Sequence, residues 1–290
     1  MRVLILGGDG MLGHQLLAEL ASGHQAVATL RQDADAYRAY GLFSSSNAIY
    51  GVDATDTIRL AETLHAVKPE AVVNAIGIVK QDLLSSDIMQ NLEVNALLPH
   101  RLAALCKEID ARLVHISTDC VFSGARGAYL ETDEADARDL YGRAKFLGEV
   151  EGPGCVTLRT SMIGLELKRR KSLVEWFLAQ RGKVPGYVRA IYSGLTTPEL
   201  SRVIRLLLES FPRLDGLFQV VANPISKHDI LTMLTTTLGR NDVAIERDER
   251  FSCDRSMVGE KFRKATGYLA PSWPILLAEL ALQIKQRPAP

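Results

Sequence analysis

Residues 1–13 read MRVLILGGDGMLG: an apolar run, Val3 to Leu6, leads directly into glycines at positions 7, 8, 10 and 13. A short unbroken apolar run reads as a strand buried on both faces, and Met11 to Ser22 behind it carries helical spacing. Gly7, Gly10 and Gly13 therefore form a G-x-x-G-x-x-G array between a first strand and a first helix. Missing β-carbons permit a tight turn and close approach of a pyrophosphate, while the free amides and dipole of the helix start favour its negative charge. Glycines also serve merely to make turns, so it is the strand-to-helix position that favours dinucleotide binding. Gly7, Gly10, Met11, Leu12 and Gly13 are the first expected cofactor-binding residues. The apolar run is too short for the core of a signal peptide and is followed by no small-residue cleavage site.

Outward from this loop, apolar β-branched runs alternate with helix-length amphipathic segments. Strands are expected at Val3–Leu6, Ala26–Leu30, Ile49–Val52, Ala71–Ala75, Leu113–Ser117, Val156–Leu158 and Leu217–Val221. Helices are expected at Met11–Ser22, Thr57–Val67, Asn91–Asp110 and Leu140–Glu151, then at Ser172–Gln180, Thr197–Ser210, Lys227–Leu238 and Ser272–Lys285. With right-handed crossovers this order gives an α/β fold, a doubly wound parallel sheet of the Rossmann type, with a smaller, intertwined C-terminal lobe. Residues 1–160, with later segments near 188–222 returning to them, form the expected NAD(P)-binding domain. Residues 161–187 and 223–290 form the expected substrate-binding lobe, and Gln286–Pro290 reads as a frayed tail.

The 290 residues carry 34 basic and 34 acidic side chains, so the formal net charge is zero. A protein that neutralises many phosphates usually shows a basic face, and here one short run, Lys168 to Lys171, stands out; no nucleic-acid partner is expected. No stretch reaches the roughly 18 consecutive apolar residues of a membrane span, so the expected location is cytoplasmic. Four scattered cysteines form no C-x-x-C pair, the histidines show no metal-ligand spacing, and no metal is expected.

At the end of the second strand an acid would hold the ribose 2′-hydroxyl of NAD, yet Arg31 stands there. A guanidinium can pair bidentately with a 2′-phosphate, which tilts the cofactor toward NADP over NAD. Asp33 and Asp35 nearby, or a purely surface role for the arginine, would undo the inference. Asp53 after the third strand is placed to reach the adenine amino group or to cap the next helix. Asn74, Ala75 and Gly77 end the fourth strand beside the expected cofactor path.

The fifth strand, within RLVHISTDCVFSG (112–124), delivers Thr118 at its C-terminal end, where doubly wound folds place ligands. In YGRAKFLGE (141–149), Tyr141 and Lys145 stand four apart and share a helix face. Such a pair also occurs on ordinary solvated helices. Ketone reduction needs a proton on oxygen, and a phenol with a pKa of about 10 is a poor proton mediator near neutrality. A neighbouring ammonium is expected to lower it by about 1 to 3 units, and the Thr118 hydroxyl to hold the carbonyl oxygen. Thr118, Tyr141 and Lys145 are the expected catalytic set.

Together with LRTSMIG (158–164), these motifs resemble the extended short-chain dehydrogenase/reductase family, within it the dTDP-4-dehydrorhamnose reductase branch. The resemblance implies reduction of a nucleotide-linked 4-keto-6-deoxysugar by NADPH or NADH, for surface polysaccharide. It implies that Tyr141 supplies the proton and that Lys145 also bonds the nicotinamide ribose. Cys120 stands where the branch often has an aromatic, and Ser161, Met162 and Ile163 replace a region that carries a tryptophan. Tyr129 and Glu131 also fit the pattern. Lys168 to Lys171, Arg189 and Arg255 are weaker phosphate-contact candidates, because most charge runs are solvated faces. Two other readings stay open: an epimerase of the same superfamily, and a non-catalytic NADP-binding regulatory subunit. A homodimer is the assembly to test.

Overall fold

Alternate residues of the first strand serve two opposite cores, which fixes the architecture. In a computed structural model that describes residues 1–79 and 87–287, Val3 and Ile5 of β1 (Arg2–Leu6) pack with α1 (Met11–Leu20). Leu4 and Leu6 face the other way, toward Leu60 and Leu64 of α2 (Thr57–Val67). A sheet apolar on both faces must be covered on both, so the parallel crossover arrangement follows.

The remaining strands of this sheet are β2 (Gln25–Thr29), β3 (Ala48–Ile49), β4 (Ala71–Asn74), β5 (Arg112–Thr118) and β6 (Cys155–Thr160). After β7 (Met162–Ile163), β8 (Gly182–Tyr192) and β9 (Leu195–Thr196), β10 (Gly216–Gln219) returns to its edge. The spatial order is β10-β6-β5-β4-β1-β2-β3, parallel throughout. The order reverses between β1 and β4. Ligands in such folds lie outside the carboxyl ends of the strands at that reversal, here Gly7 and Asn74.

The helix expected over Asn91–Asp110 is broken into three pieces. α3 (Ile88–Asn91) and α4 (Leu98–Glu108) flank a π-helical segment, Leu92–Leu97. α5 (Leu140–Leu147) ends four residues before the expected Glu151, because Gly148 stops it against the Asn95 carbonyl. Two stretches for which no element was expected are long strands. β8 pairs in parallel with β12 (Val243–Asp254), and β11 (Ile225–Ser226) adds an antiparallel edge. Within the span 188–222 expected to return to the cofactor domain, β10 does join the large sheet. Residues 188–192 instead end β8 in the small one, because β8 alternates buried with exposed residues and suits a sheet covered on one face by α8 (Lys227–Leu238). The helices α6 (Leu173–Ala179), α7 (Thr197–Ser210), α9 (Glu260–Thr266) and α10 (Trp273–Gln286) complete the chain, with α7 against α1. α10 runs through Gln286, the first residue of the expected tail, and residues 288–290 lie outside the described residues.

Candidate active site

The glycine loop is built around backbone contacts that leave no room for a side chain. A β-carbon on Gly13 would lie 2.0 Å from the Gly7 carbonyl oxygen, and Gly7 itself turns with φ of +85°. Helix α1 starts at Gly10 with no side-chain cap, so its first amides remain open to an anion from outside the chain. Leu12, expected beside the cofactor, buries its side chain in the core and can offer only its amide. His14 seals the turn, its Nδ1 2.7 Å from the Gly10 carbonyl.

Around this loop the cofactor-end residues fall into place. Arg31 is exposed at the end of β2 and close enough to Asp53 to act on its charge. Burial pushes the Asp53 carboxyl up, but bonds from the Thr55 amide (2.9 Å) and hydroxyl (2.8 Å), with Arg31, bring it below its usual value. The helix cap considered for Asp53 belongs to Asp56, whose side chain accepts the Arg59 amide. Asn74 accepts the Ile76 amide, and Gly77 faces the Asn95 side chain. Asn95, from the π-helical segment, clamps Ile78 at both backbone groups, accepting its N–H (3.1 Å) and donating to its carbonyl (2.9 Å). A π-turn is rare and cannot be read from apolar spacing, so this positioning residue was invisible in the sequence.

Of the expected set, Thr118 and Tyr141 meet, and Lys145 is buried with its ammonium on the Ile116 carbonyl. Asp139 caps α5 by accepting the Gly142 amide, and Gly142 lets the helix press on the 119–121 turn: a β-carbon there would lie 2.2 Å from the Cys120 carbonyl oxygen. That approach puts Tyr141, half-buried, in hydrogen-bond contact with Thr118. The Thr118 hydroxyl donates to Asp119 (3.2 Å) and accepts the Cys120 amide (3.1 Å).

The electrostatics differ from expectation. Burial pushes the Tyr141 phenol above its ordinary pKa, helped by Cys120, Asp119 and Asp139, while the Thr118 bond pulls the other way. Lys145 does not offset this. Its buried ammonium donates to the Ile116 carbonyl at 2.7 Å, and burial lowers its pKa to about 8 against an upward pull from Glu149. The cause is plain: burial raises the cost of forming phenolate, and the Lys145 ammonium is engaged by the Ile116 carbonyl.

Several residues that the sequence did not single out support this set. Glu149 forms a buried bidentate pair with Arg159 (2.8 Å at both oxygens) and accepts the Ser117 hydroxyl at 2.7 Å. It follows Tyr141 and Lys145 in the same motif, which was its only signal. Asp119 is buried, and burial raises its carboxyl despite Arg255 nearby. Arg255 donates to the Phe122 carbonyl (2.8 Å), so this phosphate-contact candidate sits against the turn carrying Thr118. Arg189 is instead exposed and faces Glu249 at 3.5 Å. Tyr129, which alone reads as surface, stacks on Phe122 with ring centroids 4.2 Å apart, and Glu131 accepts the Gln219 amide. Lys168 reaches the glycine loop, 3.0 Å from Asp9. Among the described residues, no His, Cys, Asp and Glu side chains group to hold a metal, and no helix is long and apolar enough to cross a membrane.

Known proteins resemble this chain. The dTDP-4-dehydrorhamnose reductase of Burkholderia thailandensis is 31% identical over 188 residues, 63% of this chain and 52% of that protein. The chain thus spans about half the length of the curated relatives it matches first. The crystal structure of dTDP-4-dehydrorhamnose reductase from Bacillus anthracis in complex with NADP shares the fold, with TM-score 0.77 and 19% identity over 97% of this chain and 99% of that one. The Bordetella bronchiseptica enzyme WbmG in complex with NAD does so with TM-score 0.79 and 20% identity, over 98% of this chain and 94% of that one. The model of the family described as RmlD substrate binding domain matches residues 1–184. The glycine loop, the end of β5 and α5 all lie inside that match, and the chain belongs to the RmlD substrate binding domain family.

Proposed function

We propose that this protein reduces the keto group of a nucleotide-linked 4-keto-6-deoxysugar, with NADPH or NADH as reductant, in the cytoplasmic assembly of surface polysaccharide sugars. The observation that carries the reading is the contact between the Thr118 and Tyr141 hydroxyls at the carboxyl end of β5, one strand from the sheet reversal, with Lys145 buried beneath. The reductase in its name and the sugar it acts on are properties of the Burkholderia relative, and the bound NADP and NAD of the two structures; each supports the proposal by similarity.

The residues present fit a dinucleotide. The Gly7 to Gly13 cradle, which a single β-carbon would fill, offers amides to a pyrophosphate. Ala75 and Gly77 line the exit of β4, and Arg31 is exposed at the surface for a 2′-phosphate. The bound nicotinamide supplies a hydride. Everything else falls to the chain. Tyr141, kept protonated by its dry surroundings, holds a proton at Oη for the sugar oxygen. Thr118 fixes that oxygen against the phenol, and Lys145, with protons beyond the one given to Ile116, bonds the nicotinamide ribose. The large sheet, residues 1–160 with the segment around β10, serves the cofactor, and the small sheet with its helices serves the sugar.

The test is turnover of a panel of 4-keto-6-deoxy nucleotide sugars with NADPH, followed by absorbance loss and product identification. Tyr141→Phe is expected to lose about 10² to 10⁴ in rate. Near wild-type turnover by that variant would remove Tyr141 from the mechanism, and sugar inversion without net NADPH oxidation would make the enzyme an epimerase. The mass of the purified protein in solution checks the homodimer.

A further inference from the structure

The basic run after β7 reaches the nucleotide end of the crevice rather than the sugar end. Lys168 Nζ donates to Asp9 Oδ2 of the glycine loop at 3.0 Å and to Gln32 Oε1, just past β2, at 3.1 Å, and lies 3.9 Å from the centre of the Tyr37 ring. Tyr37 ties the same groups together: its hydroxyl donates to Asp9 Oδ2 at 3.1 Å and accepts the Gln32 amide at 3.3 Å. Arg31, beside Gln32, is exposed on the same rim.

The segment that carries Lys168 is a braced hook. The Glu166 carboxylate accepts the Lys171 and Ser172 amides at 2.7 and 2.9 Å, and the Glu166 carbonyl accepts Arg287 at 2.6 Å. Arg287 in turn pairs with the buried Glu175 at 2.7 Å. Arg169 and Arg170 both lie in the left-handed region, φ 65° and 48°, which is strained for residues with a β-carbon. Bracing from behind holds that strained turn and aims Lys168 across the crevice.

We propose that Lys168 is, with Arg31, the second cation of a 2′-phosphate site, so that the strap leaving β7 reads NADP directly. The proposal rests on the dinucleotide reading of the glycine loop. Asp9 explains why two cations are needed, since one carboxylate already stands where a dianionic phosphate arrives. Lys168 neutralises that carboxylate and turns the remainder of its donor capacity toward the phosphate. A 2′-hydroxyl makes no such demand, so NADH is indifferent to the lysine.

The experiment is equilibrium binding of NADPH and NADH to the purified full chain, by nucleotide fluorescence and calorimetry, with 2′,5′-ADP and 5′-AMP as probes of the phosphate alone. Lys168→Met is expected to weaken NADPH and 2′,5′-ADP about tenfold, the loss of one charge-assisted hydrogen bond, and to change NADH less than about twofold. Lys168→Arg keeps the charge and is expected to retain most of the preference, and Asp9→Asn to increase it. An unchanged NADPH-to-NADH ratio in Lys168→Met, whether both affinities fall or neither does, overturns the proposal and leaves the dinucleotide reading standing. A wild-type chain that binds neither nucleotide overturns both.

Discussion

Replacing Lys145 by methionine removes a buried ammonium and keeps the side chain's length. Burial lowers that group from 10.5 to about 8. At roughly 1.4 kcal/mol per unit, holding the charge at pH 7 costs the fold about 3 kcal/mol. Methionine escapes this cost, but the Ile116 carbonyl loses its donor, a loss of about 1 to 2 kcal/mol. The variant is therefore expected to be more stable than wild type by about 1 to 2 kcal/mol at pH 7, while losing turnover. The pH dependence fixes the cause. Between about 8 and 10.5 the unfolded lysine is protonated and the folded one is not, so the unfolded chain binds more protons and wild-type stability rises with pH. Methionine has no such slope. Its advantage is full below pH 8, shrinks as pH rises and reverses between about pH 9 and 10, and by 10.5 only the lost hydrogen bond remains. Urea unfolding of both proteins at pH 7, 8.5 and 10 measures the difference. A variant equally destabilised at every pH would refute the reasoning, because no burial cost would then attach to Lys145.

Gly13→Ala places a methyl group 2.0 Å from the Gly7 carbonyl, with backbone on both sides, so the loop itself must move. Overpacking of this kind costs about 1 to 3 kcal/mol, and a fluorescence titration is expected to show dinucleotide affinity largely lost; affinity within a fewfold of wild type would mean that the loop is not the pyrophosphate cradle. Glu149→Ala leaves the Arg159 guanidinium buried without its carboxylate and is expected to destabilise by about 3 to 5 kcal/mol in urea. The double variant with Arg159→Met should recover much of that loss; an additive double variant would place the energy outside the pair.

The large sheet was legible because its strands are short, mostly apolar runs, and the glycine spacing sits where β1 hands over to α1. The meeting of Thr118 with Tyr141 was legible for a related reason: strand end and helix turn are local features, and topology brings them together. What stayed hidden depends on tertiary contact. β8 contains Pro185 and Gly186, which mask a two-residue alternation that only pairing with β12 makes coherent. β12 is half charged, with ERDER over 246–250, and has one modestly buried face. Lys168 looked like part of a solvated run, since a left-handed turn at Arg169 and Arg170 cannot be foreseen from residues that are not glycine. The direction of the Tyr141 shift likewise depends on how dry the site is, which a helical spacing does not record.

The π-helical segment also has a consequence for the phase of the helix around it. Each residue advances an α-helix by about 100°, so one extra residue in a turn rotates everything downstream by that angle. Into the segment, Asn91 and Asn95 are bonded at 2.9 Å; beyond it, Leu98 and Leu102 face the sheet. Uniform α-helical winding would satisfy one of these two faces and turn the other aside. Deleting a single residue between positions 92 and 97 would thus either swing Asn95 off Ile78 or roll α4 off the core, so the segment behaves as a timing device in the chain, intolerant of a change in length.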